Sequence, residues 1–276
     1  MRSRLMIFDM ASGDSREVLA TDRLIEAPNW MPDGSALIVN GDGLLFRVDL
    51  HEDAVAELDP INTEFALRCN NDHGISPCGR EILLSDQSET GASRIYRLPI
   101  EGGTPVEVTP LEPSYWHGIS PDGSTLAYCA ERGGRFDIYT CPRDGGPERR
   151  LTDGSGHADG PDYSACGRYI WFNSDRDGHA QLWRMTTAGT GLTRMTDDER
   201  VNWFPHPSPC GDWVVYLSYE PGTLGHPRDR EVELRLIDPE GGEKQSLVRL
   251  FGGQGTINVP SWAPDGAAFA YVAYER

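Results

Sequence analysis

The stretch Ser120-Pro121-Asp122-Gly123-Ser124-Thr125-Leu126-Ala127-Tyr128-Cys129 joins a tight turn to an apolar run of strand length. Pro presets the entry of such a turn, Asp hydrogen-bonds the backbone two residues on, and Gly supplies the left-handed conformation that closes it. A short apolar run bounded by turn residues reads as a buried strand. The turn recurs as Met31-Pro32-Asp33-Gly34, Ser76-Pro77-Cys78-Gly79, Ser164-Ala165-Cys166-Gly167, Ser208-Pro209-Cys210-Gly211 and Ala263-Pro264-Asp265-Gly266. Counting Gly123, the turn glycines stand 45, 44, 44, 44 and 55 residues apart. The whole chain is therefore one repeat written six times.

Each turn leads to a strand: Ala36–Asn40, Glu81–Ser85, Thr125–Cys129, Tyr169–Asn173, Trp213–Leu217 and Ala268–Val272. A third strand follows in most units, as in Ser93–Leu98, Phe136–Cys141 and Gln181–Met185, then a Gly-rich turn and a short fourth strand. Four strands in about this length match a blade of a β-propeller. The expected fold is all-β: six four-stranded antiparallel blades starting near residues 25, 70, 114, 158, 202 and 257, in a single domain over 1–276. The C-terminal segment supplies two strands, Pro260–Pro264 and Ala268–Tyr274. Residues 1–20 complete that last blade with Leu5–Asp9 and Ser15–Leu19. Joining both ends of the chain in one blade closes the ring and removes open sheet edges.

Composition agrees. The 31 Gly and 20 Pro exceed average usage and argue against a helical bundle. A net charge of −18 excludes the phosphate-neutralising surface of a nucleic-acid binder and opposes docking on anionic lipid. No apolar stretch reaches the roughly 18 residues of a membrane helix, and the apolar run at the N-terminus stops at Asp9. Six cysteines without a Cys-x-x-Cys pair point to a reduced, cytoplasmic protein.

The repeated Pro-Asp-Gly turn, the apolar strand after it and the Asp-x-Tyr or Leu-Trp strand beyond resemble the TolB-like propeller repeat, the WD40-like or PD40 type, over essentially the whole chain. The resemblance implies the propeller fold and no single activity. The signal peptide and N-terminal α/β domain of TolB itself are not expected, nor is its cell-envelope role. Peptidase relatives need a hydrolase domain, and the sequence holds no Gly-x-Ser-x-Gly nucleophile elbow.

In a blade the innermost strand runs from the top face down to the Pro-Asp-Gly turn, so the residues before each turn line the mouth of the channel. Glu26, Asn71, Tyr115, Asp159, Trp203 and Asn258 share one repeat column there, with His73, Trp116, His117, Asp162 and His206 close by. The loops after the second strands add Arg132, Arg176 and a long insertion, Tyr219–Glu231, that carries His226 and Arg228 and can fold over the mouth. Six of seven histidines, His73, His117, His157, His179, His206 and His226, fall on the top face; His51 falls on the bottom. Histidines with carboxylates and amides around a funnel suit a metal or ligand site. His73 and His117, each in His-Gly-Ile-Ser, serve equally well as structural residues bonding a neighbouring blade. Cys78, Cys166 and Cys210 replace Asp in bottom turns and read as structural.

Three functions follow. In the first, Trp203-Phe204-Pro205-His206-Pro207 resembles the His-Pro-His-Pro segment of oligogalacturonate lyases, with Phe204 where the first His stands; those enzymes carry an additional blade. That resemblance carries over His206 and implies a divalent cation (manganese, calcium or zinc) there, with His117, His73 and Gln254 as further candidate ligands, His117 or His73 also as candidate base, and Arg132, Arg176 or Arg228 as carboxylate partner. Asn71, Tyr115, Trp116, Asp159, Trp203, His226 and Asn258 would hold a carbohydrate-type ligand, and the net charge favours a short or neutral one. In the second, Glu26, Asn71 and Asp159 have the residue types of the axial metal site in gluconolactonase-type propellers. The third is a non-catalytic scaffold whose top face binds a peptide or protein.

Overall fold

The computed structural model describes residues 1–50 and 56–275; His51 lies outside them. The sequence repeat becomes six antiparallel blades around one axis, five of them with four strands in chain order. Innermost strands are Glu26–Trp30, Cys69–Ile75, Ser114–Ile119, Ala158–Tyr163 and Val201–Pro207. Second strands such as Ala36–Gly41 and Val214–Tyr219 are buried at every residue. Both faces of these strands lie against neighbouring blades, which is why their sequences run apolar without alternation. Third strands such as Leu44–Asp49 are buried at only some of their residues. Fourth strands such as Arg149–Arg150 and Thr193–Arg194 are two exposed residues. The outermost strand is thus the most exposed in each blade, and in four blades it is only two residues long.

The last blade closes the ring as the sequence implies. Arg2–Asp9 pairs with Ala268–Glu275 over eight residues and with Ser15–Thr21 on its other edge. Its innermost position differs from expectation. Pro260–Pro264 makes no continuous strand and is held by a bridge between Trp262 and Phe269, with Ala263 and Ala270 in the flanking hydrogen bonds. Pro260 and Pro264 have no N–H to give a ladder.

The 55-residue spacing also has a second source. Beyond the insertion after Val214–Tyr219, the fifth blade has a nine-residue fourth strand, Lys244–Gly252, paired along Arg230–Ile237. A short 3₁₀ turn, Gln254–Thr256, follows and leads to the axis. No helix among the described residues is long and apolar enough to cross a membrane.

Candidate functional site

Five innermost strands slip register at the same level, between Glu26 and Asn29, Cys69 and His73, Trp116 and Gly118, Asp159 and Asp162, and Trp203 and His206. In three of the five the repeat supplies a cause. Pro28, Pro161, Pro205 and Pro260 occupy one column, and a proline cannot donate to the ladder, so the strand bulges there. The residue before three of them is left-handed: Ala27 at φ 55°, Gly160 at 59° and Phe204 at 54°. For Ala and Phe this conformation is costly and persists only where the surroundings impose it. In the second and third blades the column holds His73 and His117 instead. The bulge breaks the alternation of the strand and turns the residues above it toward the axis.

These residues line a funnel of about 650 Å³. Its hub is Asp159, which is 8% exposed. Its Oδ1 accepts from the Gly160 N–H at 2.8 Å and lies 3.2 Å from His117 Nε2. Its Oδ2 lies 3.6 Å from His157 Nε2 and 3.8 Å from His226 Nε2. His117 Nε2 is also 3.7 Å from Asp72 Oδ1, so one imidazole nitrogen stands between two buried carboxylates. Asn258 Nδ2 donates to Asp72 Oδ1 at 2.6 Å and to the Asn71 carbonyl at 3.1 Å, tying the last blade to the second. Aromatic rings fix the histidines: Phe136 stacks on His157 at 4.6 Å and Trp203 meets His226 edge-on at 4.4 Å.

Burial and charge divide the titratable groups. Burial pushes the Asp72 carboxyl up to about 6 against the pull of His117. Burial would raise Asp159 as well, but the close contact with His117 and the charges of His117 and His157 outweigh it and hold Asp159 well below the usual range. In return, Asp159 raises His117 and His157 despite the opposing effect of burial. Burial dominates at His226, which is lowered, and at Glu26, which is raised in spite of Arg228.

Of the residues singled out in the sequence, Glu26, Asn71, Tyr115, His117, His157, Asp159, His226, Arg228, Gln254 and Asn258 meet on this funnel, and Asp72 joins them. The four-residue metal set His206, His117, His73 and Gln254 does not assemble. His206 is sealed between blades, with Nδ1 3.1 Å from Asp162 Oδ2 and Nε2 3.0 Å from the Ile257 carbonyl. His73 is wholly buried and off the funnel; neither ring nitrogen meets a hydrogen-bond partner, and burial lowers it to about 3. Trp116 packs over Gly74, where a Cβ would stand 1.9 Å from its Cη2. Trp203 backs His226 rather than lining the cavity. Arg132 and Arg176 pair with Glu148 and Asp153 instead of reaching the funnel.

Sequence reading missed Cys129 and Phe136, both on the funnel. The signal was register: Cys129 is the cross-strand partner of Tyr115 and so belongs to the mouth of the third blade. Cys129 Sγ, His157 and Asp159 bring donor atoms within 4.8 Å of one another.

The TolB beta propeller domain model matches residues 112–227. An uncharacterized protein of Agrobacterium fabrum is 51% identical over 274 residues, covering 99% of this chain and 93% of its own length. The solved structure of a "putative TolB" from Agrobacterium tumefaciens superposes with TM-score 0.98 at 50% identity, covering 100% of this chain and 99% of that one. An oligogalacturonate lyase solved in complex with manganese shares the fold at TM-score 0.58 and 15% identity, over 91% of this chain and 74% of its own.

Proposed function

The chain belongs to the TolB-like β-propeller family, and from that premise we propose that its funnel binds a small, neutral, carbohydrate-type ligand and acts on it as a cation-assisted hydrolase. One observation carries the reading: the buried Asp159 carboxylate, faced by the Nε2 atoms of His117, His157 and His226 on the funnel wall. Carboxylate and imidazole together make a donor set for a divalent cation, and the protons they now share are those a cation displaces. The His206-centred set implied by the lyase resemblance does not fit, because both His206 nitrogens are used inside the fold. A cation at Asp159 would polarise a bound ester or acetal, or acidify a water beside it.

The wall suits hydroxyl groups, which donate and accept together. Asn71, Asn258 and Asp72 offer both partners, and Tyr115 offers a ring face. Charge selects the ligand further. Glu26, Asp42, Asp72 and Asp159 line the cavity against Arg228 as its one lining guanidinium among the described residues. A uronate would meet that repulsion, and elimination next to a carboxylate needs such a substrate. Hydrolysis of a neutral ligand does not.

The test is a thermal-shift panel of neutral saccharides and sugar lactones, with and without divalent cation, followed by product analysis on any that bind. The protein is expected to gain Tm with a neutral member, and Asp159→Asn is expected to lose both the shift and turnover. Binding of peptides with no response to any saccharide or lactone would put the scaffold reading in its place.

A further inference from the structure

We infer that the cation of this funnel is zinc, held by the Cys129 thiolate, His157 Nε2 and Asp159 Oδ2 with a fourth position open to the ligand. The inference rests on the cation-assisted reading above and names its metal. Cys129 lies in the buried part of the second strand in the third blade, and its Sγ reaches the Ala158 carbonyl at 3.3 Å. That contact sets the sulfur beside the chain segment that carries His157 and Asp159. In a tetrahedral site with zinc about 2.3 Å from sulfur and about 2.0–2.2 Å from nitrogen and oxygen, donor atoms stand roughly 3.3–3.6 Å apart. His157 Nε2 and Asp159 Oδ2 already stand 3.6 Å apart, and the sulfur lies within 4.8 Å of one ligand atom of each residue. Closing the site shortens the donor separations by no more than about 1.5 Å.

The two oxygens of Asp159 are divided in a way that fits. Oδ1 is occupied by the Gly160 N–H and His117. Oδ2 is turned to His157. An outer hydrogen bond that fixes one carboxylate oxygen and leaves the other for the ion is how metal sites orient their ligands. His157 Nε2 is buried and makes no hydrogen bond, while Phe136 stacked on its ring fixes the plane.

Donor chemistry selects the metal. Calcium, magnesium and manganese favour oxygen, whereas thiolate with imidazole favours zinc. One thiolate and one carboxylate with a neutral imidazole also balance two positive charges. Binding converts the Cys129 S–H to a sulfur–metal bond and releases its proton to solvent. All three donors line the funnel, so the remaining vertex faces the ligand, as in zinc sites that act on substrates.

Cobalt(II) reports sulfur ligation directly through a thiolate-to-metal absorption in the near ultraviolet. The protein, purified without an affinity tag, is stripped with chelator and carries Cys78→Asp, Cys166→Asp and Cys210→Asp to silence the exposed thiols. It is expected to bind one equivalent of cobalt with that band, and to lose band and cobalt together when zinc is added. Cys129→Ser should abolish the band, and His157→Ala should weaken zinc at least about tenfold in chelator competition. Far-ultraviolet circular dichroism confirms folding of both, and either variant alone is decisive. One equivalent of cobalt without the band, or a band that survives Cys129→Ser, overturns the zinc–thiolate site. If saccharide binding still requires a cation in that case, the broader reading stands. Absence of any cation uptake overturns both.

Discussion

The six repeats have two ends, and they are built on different rules. At the bottom each turn satisfies itself. Asp33 Oδ1 accepts from the Ser35 N–H and hydroxyl at 3.0 and 2.7 Å, and Asp122 Oδ1 does the same for Ser124 at 3.0 and 2.8 Å. At the top the partners come from other blades. Asn258 reaches Asp72 across 186 residues of sequence, and His206 reaches Asp162 across 44. The bottom is a set of local motifs that any one blade can make alone. The top exists only once the ring has closed, and its polar groups are buried, strained or short of partners. That is the condition in which side chains are available to a ligand.

The largest effect expected from this contrast is at the top. Trp116 is 1% exposed and closes against the backbone of Gly74 in the next inner strand. Trp116→Ala should cost about 3–5 kcal/mol in a urea or thermal melt, the range for emptying a buried tryptophan site. A loss under about 1 kcal/mol would mean that the inner strands pack independently, and the contrast between the ends would fail.

A smaller effect, again at the top, depends on pH. His73 is neutral in the folded state down to about 3 because burial disfavours its charge. The unfolded chain protonates near the ordinary value of about 6.5. Between these values the unfolded state binds the extra proton, so stability falls as pH drops below about 6.5, by roughly 1.4 kcal/mol per unit. Relative to His73→Leu, the protein should lose about 2 kcal/mol between pH 7 and pH 5. Parallel stability curves for the two proteins would show that His73 finds a charged-state partner.

The same contrast explains what was legible in the sequence. Blade number, the second and third strands and the closure by residues 2–9 follow from local turn chemistry and apolar period, and Thr125–Arg132 and Gln181–Thr186 stand where they were expected. The site was legible as a column: Glu26, Asn71, Tyr115, Asp159 and Asn258 do meet. Its chemistry was not. Histidine content pointed to the top face but could not separate His117, on the funnel, from His73 and His206, buried away from it, because the choice depends on how each bulge rotates the chain. Cys129 was hidden for a related reason. It sits in an apolar strand where a cysteine reads as packing, and only its pairing with Tyr115 carries it to the mouth.

The thiols give the smallest and sharpest comparison of the two ends. Cys166 stands in a bottom turn where other blades have Asp, with Arg168 Nε 3.5 Å and Ser164 Oγ 3.4 Å from its sulfur. Those hydrogen bonds, Arg168 foremost, lower it to about 7. Cys129 at the top is held well above its ordinary value, by burial first and then by Asp159. Iodoacetamide should therefore label Cys166 readily, with a rate that climbs through pH 7, while Cys129 in the folded, metal-free chain stays unmodified. Cys166→Asp should leave stability within about 0.5 kcal/mol, because the carboxylate takes over the bonds that the sulfur accepts. Labelling of Cys129 at a comparable rate, read by peptide mass analysis, would show that the mouth opens to solvent and that its thiol is an ordinary surface group.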